Sequence, residues 1–399
     1  MSVHCLIKIN GVYIAINHNY AQKLTQMKKT IIAAFVVLAA QAATAQSTLR
    51  EAFEGKFLIG TAVNIRQPRS DNKKIKDVIK NQFSAVVPEN CMKPEEIHPK
   101  KDLYDFSEAD ELVKFTKKNK QVLTGHCLVW HSQVPYWMFK DDMSNQVTRE
   151  ELIDRMRNHI YTVVRHFKGK IKGWDVVNEA INDDGSMRQS QWYKIIGPDF
   201  IKLAFQFAHE ADPNVELYYN DYSMDRPAKR EATIKLIREL KAAGLRIDGV
   251  GMQSHVGYDT PLDEYEKSIE AFAAEGVKVM VTELDLTAIP SPQGFRGAAV
   301  DAQFDYQKAM NPYTEGLPYE AAKKQSDFMC KLFDIYLRHQ KVIDRVTFWG
   351  VSDGDSWKNG WPIPFRTDYP LAFDRNYEPK MFVPELIKMA NDPKYDQYK

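Results

Sequence analysis

The chain alternates between two kinds of apolar pattern. Short runs rich in β-branched and aromatic residues are typical of strands that are buried on both faces. Eight such runs occur, at 57–63, 83–87, 122–130, 171–177, 216–219, 249–253, 277–282 and 346–351. Longer segments between them repeat apolar residues with a period near 3.6. These segments predict helices, the clearest of them at 150–167, 200–210, 229–243 and 320–339.

Helix-breaking residues agree with this division, because Ala211-Asp212-Pro213 and Ala243-Gly244 end two of the predicted helices. Buried strands that alternate with helices predict a parallel sheet, and eight of them predict closure into a barrel. An open doubly wound sheet is the alternative, but no Gly-rich phosphate-binding turn follows the first run. The pattern therefore favours an α/β protein with a single (β/α)8 barrel domain over residues 46–399.

One stretch of this domain is irregular. Residues 287–318 are rich in Pro, Gly and Gln and show neither strand nor helix periodicity. They follow the seventh run, and the segment after a strand lies at the C-terminal face of a (β/α)8 barrel. We therefore expect a long loop on the face where such barrels carry their active sites.

Charge and cysteine content exclude some functions. The 399 residues have a net charge of +1, and the charged residues, 27% of the total, form no basic block. This balance argues against binding to nucleic acid or to a charged membrane surface. Downstream of residue 46 only Cys91, Cys127 and Cys330 remain, which is too few for a disulfide framework. Free thiols are expected, although the sequence leaves one disulfide open.

The N-terminal region carries a predicted export signal at 27–45. Met27-Lys28-Lys29 is basic, residues 30–40 are apolar, and Ala43-Thr44-Ala45 fits a cleavage site before Gln46. A membrane anchor is the alternative, but the apolar run is short for a span. We expect an exported protein, periplasmic or secreted, with residues 1–26 an upstream extension or a misassigned translation start.

Two of the eight runs deliver a glutamate at their ends. The fourth reads Trp174-Asp175-Val176-Val177-Asn178-Glu179, and the seventh reads Val279-Met280-Val281-Thr282-Glu283-Leu284-Asp285. Carboxylates at two strand ends of a barrel are the arrangement that glycosidases use. Amides, imidazoles and indoles at the other strand ends suit a polyhydroxylated ligand, since polar groups bind sugar hydroxyls and indoles pack on apolar sugar faces.

Together these strand-end motifs resemble glycoside hydrolase family 10, whose members are chiefly endo-1,4-β-xylanases. The resemblance runs from about Leu58 to the C-terminus, with one motif at each strand end. Two features depart from the family pattern: Pro94 stands where Trp is common, and the 287–318 loop is longer than in compact members. The motifs are Pro88-Glu89-Asn90, Trp130-His131-Ser132-Gln133, the two glutamate segments, Asn220-Asp221-Tyr222, Gln253-Ser254-His255 and Trp349-Gly350-Val351-Ser352-Asp353.

The resemblance implies retaining hydrolysis of internal β-1,4-xylosidic bonds. Glu179 matches the acid/base and Glu283 the nucleophile, and retention places two such carboxyls about 5–5.5 Å apart. Asn178 is expected to bond the sugar and the nucleophile, and His255 to bond Glu283, with Asp285 in support. Substrate-binding positions are Glu89, Asn90, Lys93, His131, Gln133, Trp137, Tyr222, Gln253, Trp349 and Trp357.

The implied enzyme needs no cofactor and no metal, and its expected partners are xylan and xylo-oligosaccharides, bound by a monomer. The spacing of His126 and His131 on one strand makes them a poor metal pair. Trp137 has a second interpretation, as an anchor in the core. Two functions compete with xylan hydrolysis: a retaining glycosidase acting on β-1,4-glucan or a mixed substrate, and a polysaccharide-binding protein without catalysis. The presence of both glutamates disfavours the latter.

Overall fold

The computed structural model describes residues 47–292 and 298–399, together with the backbone of two N-terminal strands. Those strands, His4–Ile9 and Val12–Asn17, pair antiparallel within a compact unit that comprises residues 1–47. The predicted signal peptide at 27–45 lies outside the described residues, so it stays a prediction. A second compact unit, Thr48–Lys399, carries every feature discussed below.

The second unit contains eight parallel strands in chain order. They are β1 (Leu58–Val63), β2 (Ala85–Pro88), β3 (Val122–Leu123 and Gly125–Val129), β4 (Gly173–Asn178), β5 (Glu216–Asp221), β6 (Gly249–Met252), β7 (Lys278–Leu286) and β8 (Ile343–Phe348). Each overlaps one of the eight predicted runs. A two-residue strand, His255–Val256, follows β6 and pairs with the end of β7.

The pairing of these strands closes a ring. Each strand pairs with its neighbours in sequence, and β8 returns to β1 through Phe348 opposite Thr61. The two halves of β3 complete the circle, since the first pairs with β2 and the second with β4. The break falls at Thr124, an interruption that the apolar pattern does not reveal. The predicted (β/α)8 barrel is confirmed.

Helices lie between the strands as the periodicity predicts. The four predicted segments form Arg149–His166, Phe200–Ala211, Pro227–Ala242 and Tyr319–Arg338. The remaining helices are Leu49–Ala52, Arg66–Arg69, Lys73–Gln82, Pro94–Ile97, Ser107–Lys118, Gln191–Ile196, Leu262–Ala274 and Phe382–Ala390. Across the part of the chain that the structure describes, no helix combines the length and apolar character that crossing a membrane requires.

Buried aromatic side chains pack against glycines on neighbouring strands of the barrel. A Cβ atom on Gly125 would lie 2.3 Å from Cε3 of Trp174, and one on Gly173 would lie 2.3 Å from Cε2 of Tyr218. Both aromatic residues are fully buried. Because no side chain can approach an aromatic ring so closely, glycine is required at both positions.

The predicted loop after β7 is irregular, as expected, but both of its ends are bonded to the segment after β8. Near the start, Asp368 accepts from the backbone N–H of Ala288 at 3.0 Å, and Arg366 donates to the carbonyl of Pro290 at 3.0 Å. Farther on, Asn311 accepts from the N–H of Thr367 at 2.8 Å. These bonds attach the loop to the barrel.

The three cysteines of the barrel unit are free thiols. Cys91 and Cys127 are buried, and Cys330 is half-buried. Burial raises the pKa of the Cys91 thiol to about 12, so this group stays protonated and unreactive at neutral pH. The structure thus confirms the expectation of free thiols and gives no support to a disulfide within this unit.

Candidate active site

The two glutamates occupy irregular positions at one end of the barrel. Glu179 directly follows β4 and has a φ of +58°, a conformation that is uncommon outside glycine. Glu283 lies within β7, where the four residues from Val281 to Leu284 oppose the three residues from Val346 to Phe348 on β8. Such a bulge re-aims a side chain, and strained backbone is concentrated at functional sites. Both irregularities coincide with the residues that the sequence singles out.

Glu179 is buried, and its carboxyl accepts hydrogen bonds from neutral donors. Its Oε1 accepts from Gln253 Nε2 at 2.9 Å and from Asn178 Nδ2 at 3.3 Å, and its Oε2 accepts from Trp130 Nε1 at 2.9 Å. Burial raises the pKa of Glu179, and the hydrogen bonds from Gln253 and Trp130 offset only part of that effect. Its environment therefore favours the protonated form.

Glu283 is equally buried but has a cationic partner. Asn220 Nδ2 donates to its Oε1 at 2.8 Å, and His255 Nε2 donates to its Oε2 at 3.1 Å. Burial alone raises the pKa of Glu283, but the hydrogen bond from His255, the charges of His126 and His255 and the hydrogen bond from Asn220 together outweigh it and hold the pKa below its usual value. This carboxyl is therefore favoured as the anion.

Two of the expected supporting residues, His255 and Asp285, form a hydrogen-bonded chain behind Glu283. His255 Nδ1 donates to Asp285 Oδ2 at 2.8 Å, so the imidazole bridges Asp285 and Glu283. Burial lowers the pKa of His255, yet the charge of Asp285 and the hydrogen bonds to both carboxylates raise it to about 9. His255 is thus a cation at neutral pH. Trp357 Nε1 donates to the same Asp285 oxygen at 2.9 Å.

The amide contacts differ from the expectation for Asn178. Among the described residues, the amide that donates to Glu283 is that of Asn220, whereas Asn178 donates to Glu179 and accepts from Asn220 at 2.9 Å. Thr282 Oγ1 donates to Asn220 Oδ1 at 2.6 Å and fixes the amide's orientation. Asn220 stands in a recognised motif, but its role toward Glu283 was not predicted.

Both glutamates face a pocket of about 280 Å³. Eleven of the predicted residues line it: Glu89, Asn90, Lys93, Gln133, Asn178, Glu179, Gln253, His255, Glu283, Trp349 and Trp357. Four other residues contribute that were not predicted to bind substrate, namely His126, Trp130, Ala298 and Val300. Ala298 and Val300 belong to the 287–318 loop, so the loop reaches the catalytic pocket, as its position after β7 suggested.

One wall of the pocket is a polar cluster after β2 and β3. Lys93 Nζ donates to Asn90 Oδ1 at 2.9 Å and to Gln133 Oε1 at 2.7 Å, and it lies 5.0 Å from the ring centroid of Trp130. Burial lowers the pKa of Lys93 and raises that of Glu89. The cluster offers donors and acceptors of the kind that bind sugar hydroxyls.

Three predicted substrate-binding residues do not line this pocket. Trp137 packs against the core and donates from Nε1 to the carbonyl of His98 at 3.1 Å, in agreement with its interpretation as an anchor. Tyr222 accepts at its hydroxyl from Arg188 at 2.7 Å. His131 lies with Nδ1 3.8 Å from Glu179 Oε2, and burial lowers the pKa of this imidazole to about 4.

The geometry provides one carboxyl that is favoured as the acid and one that is favoured as the anion, in a single pocket. Two titratable groups whose environments separate their pKa values are the usual basis of acid and nucleophile assignments. The aromatic wall of Trp349 and Trp357 faces the polar cluster of Lys93, which suits a sugar with polar edges and apolar faces. The site is that of a glycosidase.

Comparison with known proteins identifies the class. Residues 48–388 match the model of glycosyl hydrolase family 10, and the chain belongs to this family. It is 54% identical over 369 residues to endo-1,4-beta-xylanase A of Xylanibacter ruminicola, which covers 92% of this chain and 99% of that protein. A beta-1,4-xylanase of Dictyoglomus thermophilum is 38% identical over 345 residues, covering 86% and 90% respectively.

Solved structures agree. A family 10 endoxylanase retrieved from a sugarcane soil metagenome superposes with a TM-score of 0.83 at 42% identity, covering 86% of this chain and 99% of that one. A xylanase of Paenibacillus barcinonensis, complexed with a conduramine derivative, gives a TM-score of 0.78 at 36% identity, with the same coverage.

Proposed function

We propose that this chain is a retaining endo-1,4-β-xylanase in which Glu179 is the acid/base and Glu283 the nucleophile. One observation carries the assignment: the two buried carboxyls of a single pocket have pKa values shifted in opposite directions. Family membership and the xylanase activity named for its relatives support the substrate.

In the first step, Glu283 attacks the anomeric carbon while Glu179 gives its proton to the departing glycosidic oxygen. A covalent glycosyl–Glu283 ester forms, and the shortened chain leaves with the proton. In the second step, Glu179, now ionised, removes a proton from water, which attacks the same carbon and releases Glu283. Two inversions give a product with the starting β configuration.

The remaining pocket residues are proposed to hold the sugar. Lys93 and Asn90 present donors and acceptors to hydroxyls on one side of the scissile bond. Trp349 and Trp357 provide the apolar wall against which a sugar ring packs. Asn178, next to Glu179, lies where an amide can bond the 2-hydroxyl of the sugar undergoing cleavage.

The first experiment follows the anomeric configuration of the initial product by proton NMR. We expect the β-anomer, and an initial α-anomer would exclude the double displacement. Glu283→Ala should abolish hydrolysis of both xylan and an activated aryl glycoside, because no ester can form. Azide should then restore turnover only as the inverted glycosyl azide. Glu320→Ala, an exposed glutamate at the start of Tyr319–Arg338, is the matched control.

A reducing-sugar assay decides the substrate class. Xylan and carboxymethylcellulose are supplied side by side to the wild-type protein. Faster release of reducing sugar from xylan supports the proposal, whereas preference for the cellulose derivative identifies a glucanase on the same scaffold. Binding to xylan without any hydrolysis would mean that the protein is a polysaccharide-binding protein instead.

We also propose that the protein is exported through residues 27–45 and acts as a monomer. The basic, apolar and small-residue segments of the leader support export. Mass spectrometry of protein recovered from the culture medium or periplasm should find an N-terminus at Gln46, and light scattering should give the mass of one chain. A retained leader or a dimeric mass would refute the respective part.

A further inference from the structure

A buried lysine lies behind the nucleophile. Lys358 belongs to the short 3-10 helix Trp357–Asn359, and only 6% of the residue is exposed. Its Nζ lies 3.5 Å from Oδ1 of Asp285, which is itself fully buried. A buried ammonium is costly unless a charge or hydrogen bond compensates it. Neither the sequence motifs nor the proposed mechanism gives this lysine a role.

The same ammonium lies next to two tryptophans, Trp357 and Trp361. Its distances to the ring centroids of Trp357 and Trp361 are 5.0 and 5.2 Å, within the range of cation–π attraction. The two indoles stack on each other, with centroids 4.3 Å apart and planes at 16°. Lys358 therefore contacts both tryptophans and Asp285 at once.

Asp285 divides its two oxygens between different partners. Oδ2 accepts from His255 Nδ1 and from Trp357 Nε1, at 2.8 and 2.9 Å. Oδ1 has no hydrogen-bond donor in the described part of the chain, and Lys358 is the cation placed next to it. The charge of Lys358 is therefore what balances this oxygen.

The charges behind the nucleophile form two pairs. Glu283 and Asp285 are anionic, whereas His255 and Lys358 are cationic. Without Lys358, the single positive charge of His255 would have to balance two buried carboxylates. The imidazolium would then be held more strongly by Asp285, and the potential at Glu283 would become more negative.

We propose that Lys358 is a positioning residue for hydrolysis: it neutralises Asp285, so that His255 can hold Glu283 as the anion, and it fixes the indoles of Trp357 and Trp361. The inference rests on the proposed function, since Glu283 is taken as the nucleophile. Lys358 touches no reacting atom. It acts through Asp285 and His255, and it couples the sugar-binding wall to the nucleophile.

Removal of the Lys358 charge should shift the pKa of Glu283 in a defined direction. A more negative surrounding disfavours the carboxylate, so the pKa of Glu283 should rise and the acidic limb of kcat/KM should move to higher pH. A unit charge about 6–10 Å away, at an effective dielectric near 20, changes a pKa by about one to two. The other ionisable groups near these four charged residues are unchanged in the variants. They are Glu179, Glu89, Lys93, His126 and Asp368.

The test compares Lys358→Met, Lys358→Gln and Lys358→Arg. Carbon-13 NMR titration of the Glu283 carboxyl is measured alongside kcat/KM against pH on an aryl xylobioside. We expect the neutral variants to raise the Glu283 pKa by about one to two. They should also raise KM, because Trp357 and Trp361 lose their contact with the ammonium. Arginine should restore both values. Gln keeps the proposal testable if Met fails to fold.

Lys380→Met is the matched control, because Lys380 is another lysine after β8 with a buried aspartate partner, Asp353, at 3.2 Å. It should lower stability without moving the Glu283 titration. An unchanged titration in Lys358→Gln, or an equal change in Lys380→Met, would overturn the proposal. Failure of the proposed function is seen separately, as wild-type protein without xylanase activity, and the NMR titration still decides the role of Lys358.

Discussion

Replacing Glu179 with alanine separates the two steps of the proposed reaction. A departing xylan chain is a poor leaving group and needs the proton of Glu179, whereas dinitrophenolate departs without one. The variant should therefore lose xylan cleavage but retain the first step on a dinitrophenyl xylobioside. The second step needs Glu179 as a base toward water, so the glycosyl–Glu283 ester should accumulate.

The size of the effect follows from the site. General acid catalysis contributes about 10²–10⁴-fold, or about 2.7–5.5 kcal/mol. Glu179 is buried with its pKa raised, which favours the upper part of that range. However, truncation frees Trp130 Nε1 and Gln253 Nε2, and a water bound to these donors can replace part of the lost acid. We therefore expect xylan cleavage to fall about 10³-fold.

Stopped-flow release of dinitrophenolate measures both steps. The expected trace is a burst followed by a slow steady state, and azide should accelerate the slow phase and give the β-glycosyl azide. An equal loss of first-step rate for good and poor leaving groups would remove Glu179 from the acid role. The pH profile adds a check, since the basic limb of the wild type should vanish in the variant on the activated substrate. If the limb persists, another group controls it.

Two further predictions concern the loop and a buried histidine. In the first, residues 299–309 are replaced by a short Gly-Ser linker, which keeps the hydrogen bonds at Ala288, Pro290 and Asn311. This change should alter the lengths of the products more than it alters the Tm. A much lower Tm with unchanged products would show that the loop is structural. In the second, burial and the charge of His98 lower the pKa of His159 to about 3 in the folded protein, whereas the pKa of an unfolded histidine is about 6.5. Between these two pH values the unfolded chain binds a proton at His159 and the folded protein does not. Stability should therefore fall with decreasing pH, by about 2 kcal/mol at pH 5, and urea unfolding of His159→Phe should lack this component; an identical pH slope would contradict the assignment.

Most of the barrel could be predicted because its signals are local. A strand buried on both faces has a short continuous apolar run, which distinguishes it from the 3.6-residue periodicity of the helices on either side. Since the carboxyl ends of parallel strands meet on one face, residues as distant as Glu89 and Trp349 could be placed in one pocket. The interruption of β3 at Thr124 was not predicted, because the apolar run continues through it.

The missed features depend on tertiary contacts. The bulge in β7, the left-handed backbone at Glu179 and the contact of Asn220 with the nucleophile are features that no local pattern reveals. Ala298 and Val300 lie in an irregular loop whose path across the pocket has no periodic signal. Lys358 is one lysine among many, and only the fold shows that it is buried against Asp285.

The opposite tendencies of the two glutamates do not come from a difference in burial, because both are almost completely removed from solvent. They differ in the charge of their partners. Glu179 meets the neutral donors of Trp130, Gln253 and Asn178, so desolvation prevails and the proton is kept. Glu283 meets the imidazolium of His255, which Asp285 in turn stabilises. The surroundings of Glu283 thus favour its anion although burial opposes it, which separates acid from nucleophile within a single pocket. Asp285 contributes to this separation because it keeps His255 cationic.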